Sequence, residues 1–136
     1  MMKRSEIRET VFKLLFRAEF NEISEMPEQT RFYFENETDD VSIATEDREY
    51  ITNREQKVLE HLNEIDEAIS QKAVGWTIDR MAKVDLAIIR LAVYEIMFDD
   101  ETPTKVAINE AVELAKKYGQ DESKGFVNGV LAKFAQ

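Results

Sequence analysis

A chain of 136 residues with 43% apolar content can bury one core, while a net charge of −10 opposes simple attraction to nucleic-acid phosphate. The absence of cysteine excludes disulfides, thiolate zinc sites and cysteine nucleophiles. No run of eighteen apolar residues occurs, and MMKRSEIRE lacks the apolar stretch of a signal peptide, so a soluble cytoplasmic protein without membrane contact is expected.

Four glycines, two prolines and no sustained period-two alternation predict an all-α fold. A first helix is expected over 4–20, with Ile7, Val11, Leu14, Leu15 and Ala18 on its core face. Phe12, Phe16 and Phe20 recur every four residues on the other side. Either this helix is sandwiched in its own fold or part of the stripe meets a partner. Pro27 suits the first turn of a short second helix carrying Phe32, Tyr33 and Phe34, and ENETDDVSIATED (35–47) reads as a loop. A third helical segment, about 47–72, carries Tyr50, Ile51, Val58, Leu59, Leu62, Ile65 and Ile69 and is long enough to bend or divide.

Gly75 interrupts the pattern, and the Thr77 hydroxyl can cap a short turn. The segment 83–99 is apolar almost all round, broken chiefly by Asp85, Arg90 and Glu95, which predicts the central helix. Asp99, Asp100 and Glu101 crowd the unfavourable end of its dipole and should stop it there. Thr104 can cap the next helix, in which Ala107, Ile108, Ala111, Val112, Leu114, Ala115 and Tyr118 form the buried arc, and Gly119 is expected to close it in a left-handed conformation. Asp121 or Ser123 can cap a last helix with Phe126, Val127, Val130, Leu131 and Phe134 at core spacing. Two clusters of about three helices result, 1–72 and 73–136, within one domain.

Charge is unevenly spread. Residues 19–67 hold 16 of the 28 acids and 4 of the 18 bases, a local −12 that leaves +2 for the rest. The acidic segment reads as a solvated face; the remainder can still meet phosphate. Lys3, Arg4 and Arg8 gather at the start of the first helix, with Arg4 and Arg8 one turn apart. Catalysis finds little support. The single histidine, His61, has no matching triad or metal pattern, Glu60 and Glu64 read as a solvated face, and no glycine-rich phosphate loop is present. No catalytic residue, metal, cofactor or small-molecule substrate is expected.

Four blocks, GWTIDR (75–80), DLAIIRLAVYE (85–95), PTKVAINEAVELAKKYG (103–119) and SKGFVNGVL (123–131), follow one another at intervals that closely resemble the NusB family of bacterial transcription antitermination factors. The likeness runs from residue 4 to the C-terminus. It implies a NusB-like fold of two perpendicular three-helix subdomains packed together. It also implies binding to boxA, a short single-stranded RNA element, through Lys3, Arg4 and Arg8, then Arg80, Lys117, Tyr118, Lys124, Phe126 and Asn128. Cations tracking phosphates, aromatic faces stacking unpaired bases and an amide reading a base edge make that chemistry reasonable. Core packing is the alternative use of Tyr118 and Phe126, and Glu122 would oppose phosphate within this surface. Ser5 and Glu6 stand where some members carry arginine, so the basic cluster is thinner here.

The resemblance further implies a protein partner, NusE, a small ribosomal subunit protein, met by Phe16, Asp79 and Asp85: an apolar anchor flanked by acids facing a basic partner. The function expected is therefore non-enzymatic. With NusE the protein assembles on boxA, chiefly in ribosomal RNA transcription, and helps the elongation complex pass terminators. Two alternatives stand beside it. One is an acidic helical protein-interaction module without significant RNA affinity. The other is the N-terminal region of a ribosomal RNA methyltransferase, against which stand the short chain and the lack of a nucleotide-binding glycine motif or catalytic cysteine.

Overall fold

A computed structural model describes residues 2–36 and 43–135. Among them lie α1 (Arg4–Arg17), α2 (Met26–Asn36), α3 (Thr45–Glu60), α4 (Leu62–Lys72), α5 (Lys83–Phe98), α6 (Thr104–Tyr118) and α7 (Ser123–Ala132). Three 3-10 turns, Ile23–Glu25, Ile78–Arg80 and Lys133–Ala135, complete the set, and the described residues contain no strand. The expected all-α class is what forms, and no described helix is long and apolar enough to cross a membrane.

The chain divides into two compact units, Met1–Leu59 and Glu60–Gln136. This division falls before α4, whereas the sequence pattern breaks near Gly75. The reason is visible in α4 itself, which is tied to α5: the Arg90 guanidinium donates from Nε to Asp66 Oδ1 at 2.9 Å and from a terminal nitrogen to Oδ2 at 2.8 Å. A two-pronged, half-buried pair of this kind fixes orientation as well as proximity.

In the first unit, Val11, Phe12, Leu14 and Leu15 of α1 are buried. The helix stops at Arg17, short of the expected residue 20, because its end tightens: the Ala18, Glu19 and Phe20 amides each donate to the carbonyl three residues back. The Asn21 side chain also donates to the Arg17 carbonyl at 2.9 Å, so the exposed end of the ladder is satisfied. The phenylalanine stripe consequently grades from core to surface, with Phe12 buried, Phe16 half-buried and Phe20 62% exposed. Pro27 does sit in the first turn of α2. The loop expected over 35–47 is shorter at both ends, since α2 runs to Asn36 and α3 begins at Thr45; residues 37–42 lie outside the described set. Polar ties join these elements. Arg17 donates to Gln29 Oε1 and lies over the Tyr33 ring, Arg48 lies over Phe34, and the Met2 amide donates to the buried Asp47 carboxylate.

One tie is costly. Glu55 on α3 is only 2% exposed, and both its carboxyl oxygens contact the Thr30 hydroxyl of α2, at 2.7 and 2.9 Å. Burial pushes this carboxyl above its ordinary value, and the Thr30 hydrogen bond offsets only part of that rise.

In the second unit the long helical segment divides at His61, whose backbone (φ −103°, ψ 13°) leaves the helical region. The imidazole stacks on Phe98 at 4.2 Å between centroids, with Nδ1 2.8 Å from Glu64 Oε1. Helix α5 packs against α4, α6 and α7, and residues from Asp85 to Glu95, Arg90 excepted, are buried, as the apolar circumference predicts.

The expected caps need correction. Thr77 and Thr104 make no side-chain cap bond. Thr104 already lies inside α6, with Pro103 at the cap position, where the preset proline torsion holds the chain and its carbonyl accepts from Val106 and Ala107. Ahead of α7 the cap position belongs to Glu122, while the Ser123 hydroxyl, already in the helix, accepts from the Gln120 amide at 2.9 Å. Gly119 is extended (φ −90°, ψ −172°), not left-handed. Its necessity is steric: a Cβ there would lie 2.5 Å from Ser123 Cβ and 2.8 Å from the Ala115 carbonyl oxygen. The left-handed glycine is Gly75, at φ 88°.

Candidate nucleic-acid interface

At the start of α1, Lys3 and Arg4 are exposed and Arg8 is half-buried with an interaction of its own. The Lys3 amide donates to Glu6 Oε1 at 2.7 Å, so the nearest acid is occupied in closing the first turn. The positive end of the helix dipole adds to these two exposed cations, a combination that favours phosphate.

The second unit carries the rest. Gly75 turns the chain after α4, the Trp76 amide closes the turn on the Ala73 carbonyl at 3.0 Å, and the 3-10 turn that follows presents Arg80, exposed and held in no ion pair among the described residues. At the end of α6 the Lys117 ammonium lies 5.5 Å from the centre of the half-buried Tyr118 ring. On α7, Lys124 and Asn128 line an open groove of about 540 Å³ with Asn109, Glu113 and Lys116 of α6. Phe126 belongs to a different contact, an edge-on pair with Trp76 at 5.1 Å and 65°. Lys124 and Asn128 thus share one groove, Lys117 and Tyr118 pair with each other, and Phe126 pairs with Trp76. The surface is not uniformly basic, for Asp79, Glu113 and Glu122 are exposed within it.

Of the residues expected to meet a protein, Phe16 stands half-buried between Phe12 and Phe20, 5.2 Å from the latter ring in an edge contact. Asp79 is exposed. Asp85, in the first turn of α5, is only 7% exposed, and its Oδ1 has no hydrogen-bond partner among the described residues. Leaving such an oxygen bare costs about 1 to 3 kcal/mol.

Sequence reasoning passed over Trp76 and Lys116. Trp76 was legible, being the aromatic residue of GWTIDR, but only a fold places it against Phe126. Lys116 gave no signal, since its neighbour Lys117 drew the match; it pairs with Glu113 at 3.0 Å on the groove wall.

Fold and surface together define an all-helical protein that presents open faces of cations and half-exposed rings. The NusB family model matches residues 5–136. A transcription antitermination protein NusB from Agathobacter rectalis is 59% identical over 134 residues, covering 98% of this chain and all of that protein. Its counterpart in Lachnoclostridium phytofermentans is 55% identical, over 97% of this chain and 98% of its own. Among solved structures, T. maritima NusB aligns with a TM-score of 0.82 at 33% identity, covering 98% of this chain and 91% of its own. A complex of antitermination factors NusB and NusE with double-stranded RNA aligns with a TM-score of 0.79 at 27% identity, covering 98% of this chain and 97% of the matched one. The chain belongs to the NusB family of transcription antitermination proteins.

Proposed function

We propose that this chain, together with NusE, binds boxA RNA, chiefly in ribosomal RNA transcripts, and supports elongation through terminators as a non-catalytic, cytoplasmic factor. The observation that carries the reading is family membership over 5–136, joined to the likeness to a complex that contains NusB, NusE and RNA. The two helical units act as one NusB-like domain. Lys3, Arg4, Arg8, Arg80, Lys117 and Lys124 neutralise phosphate, Tyr118 and Phe126 offer ring faces, and Asn128 reads a base edge. Half-exposed rings can stack only bases that are not already paired, which favours the single-stranded form of the element.

Phe16, Asp79 and Asp85 meet NusE. Exposed Asp79 offers the acid a basic partner can reach directly, while buried Asp85 can meet a partner's donor only if the start of α5 opens to expose its unpartnered oxygen. A basic partner would also supply positive charge that a −10 chain lacks, so binding by the chain alone is weak and steeply salt-sensitive. Composite binding then joins two modest surfaces into a specific one. The test is a titration of labelled boxA, scrambled and duplex RNA with the chain, with and without NusE. Tightening and discrimination upon adding NusE are expected. Equal affinity for boxA and scrambled RNA would leave an acidic protein-interaction module in place of an RNA-binding factor.

A further inference from the structure

We propose that Trp76 is itself an RNA-contacting residue, stacking an unpaired base and forming with Phe126 a two-ring platform for neighbouring nucleotides. The inference deepens the RNA-binding reading and rests on it. Trp76 is the only tryptophan of the chain, and 48% of it is exposed, an unusual fate for the largest apolar ring. It is carried on a short closed turn beside Val74, which is 79% exposed. Its contact with Phe126, 5.1 Å between centroids at 65°, sets the edge of one ring against the face of the other. The pair covers at most one face by mutual contact, and the 48% exposure of Trp76 leaves indole surface for a base beside the half-buried Phe126.

Cations flanking the two rings distinguish a nucleic-acid ligand from a purely apolar partner. Arg80 lies four residues beyond Trp76, and Lys124 two residues before Phe126; both are exposed and neither is held in an ion pair among the described residues. Asp79 and Glu122 oppose them, which leaves the rings to supply affinity that charge alone cannot. Rings inclined at 65° cannot hold two successive bases parallel, so bound nucleotides must splay apart at this point. A duplex would resist that.

The experiment compares wild-type protein, Trp76→Ala and Trp76→Phe, each with NusE, for affinity toward single-stranded boxA RNA at several salt concentrations. Loss of one stack should weaken Trp76→Ala by roughly 5- to 150-fold with little change in salt slope, and Trp76→Phe should recover most of the loss. The single indole gives a second readout that needs no variant: its fluorescence should be quenched as RNA is added to wild-type protein. Wild-type binding combined with Trp76→Ala affinity within twofold, or with unchanged indole emission, overturns the inference while leaving RNA binding intact. Equal loss in both variants, or a parallel loss of NusE affinity, assigns the ring to packing or to the protein partner and overturns it too. Failure of wild-type protein and NusE to bind boxA at all removes the underlying reading as well.

Discussion

Replacing Glu55 by Gln should stabilise the protein progressively as pH rises. The carboxyl is buried, and among the described residues its hydrogen-bond partner is one hydroxyl, which has a single hydrogen to share between two oxygens. When protonated, Glu55 can donate to Thr30 while accepting from it; when ionised it can only accept. Its folded pKa is raised above the ordinary 4.5 by desolvation, and the single Thr30 hydrogen bond offsets only part of the rise. A raised acid contributes stability that is fully present below its unfolded pKa and lost as pH climbs through the folded one. Each unit of elevation amounts to about 1.4 kcal/mol, which is also the steepest slope per pH unit that one group can impose. Glutamine has nearly the same shape, and its amide can donate to Thr30 Oγ1 and accept through Oε1, imitating the protonated acid at every pH. Urea unfolding of both proteins from pH 4 to pH 8 would report the difference. The variant's advantage should be smallest at pH 4 and grow upward, while Thr30→Val should lose about 1 to 3 kcal/mol through the stranded carboxyl. A pH-independent difference, or one that shrinks as pH rises, would refute the reasoning.

Two glycines should respond differently to alanine. Gly119→Ala must displace Ser123 and should cost about 1 to 3 kcal/mol, with faster exchange of the Gln120 amide; Gly75→Ala meets no atom within 4 Å, so its cost of about 1 to 2 kcal/mol is backbone strain alone. Leu91→Ala, at a buried site of α5, should lose roughly 2 to 5 kcal/mol in denaturant unfolding, whereas a loss below about 0.5 would mark this helix as peripheral. Phe16→Ala and Asp79→Lys should weaken NusE binding in titration calorimetry without loss of helix content. Because Asp85 is buried, Asp85→Asn is its informative variant, charge reversal there being a test of folding instead.

The helices were legible where burial follows a period. The near-continuous apolar run of α5 announced the centre, and the length of the 47–72 segment anticipated a division whose place, His61, no residue type signals. Caps were less legible. Thr77 and Thr104 are residue types that often cap, yet backbone carbonyls and the fixed proline torsion close those turns. Gly119 was correctly read as a helix end for the wrong reason, since its constraint is a side chain four residues on and not its own φ. Glu55 was invisible, because an acid within an acidic segment looks solvated until α2 is laid against α3. For the interface, residue types could be read from the first helical segment and the four family blocks, but their grouping could not. Asn128 and Lys124 meet in a groove, whereas Phe126, between them in sequence, pairs with Trp76.

Read-through of a terminator tests the central claim most directly. Transcription in vitro from a template carrying boxA, with NusE and the remaining elongation factors present, should show more read-through when this chain is added. The gain should vanish on a template with scrambled boxA and fall sharply with the Arg80→Ala, Lys124→Ala double variant. Equal read-through on boxA and scrambled templates would contradict an account in which this chain acts by recognising RNA.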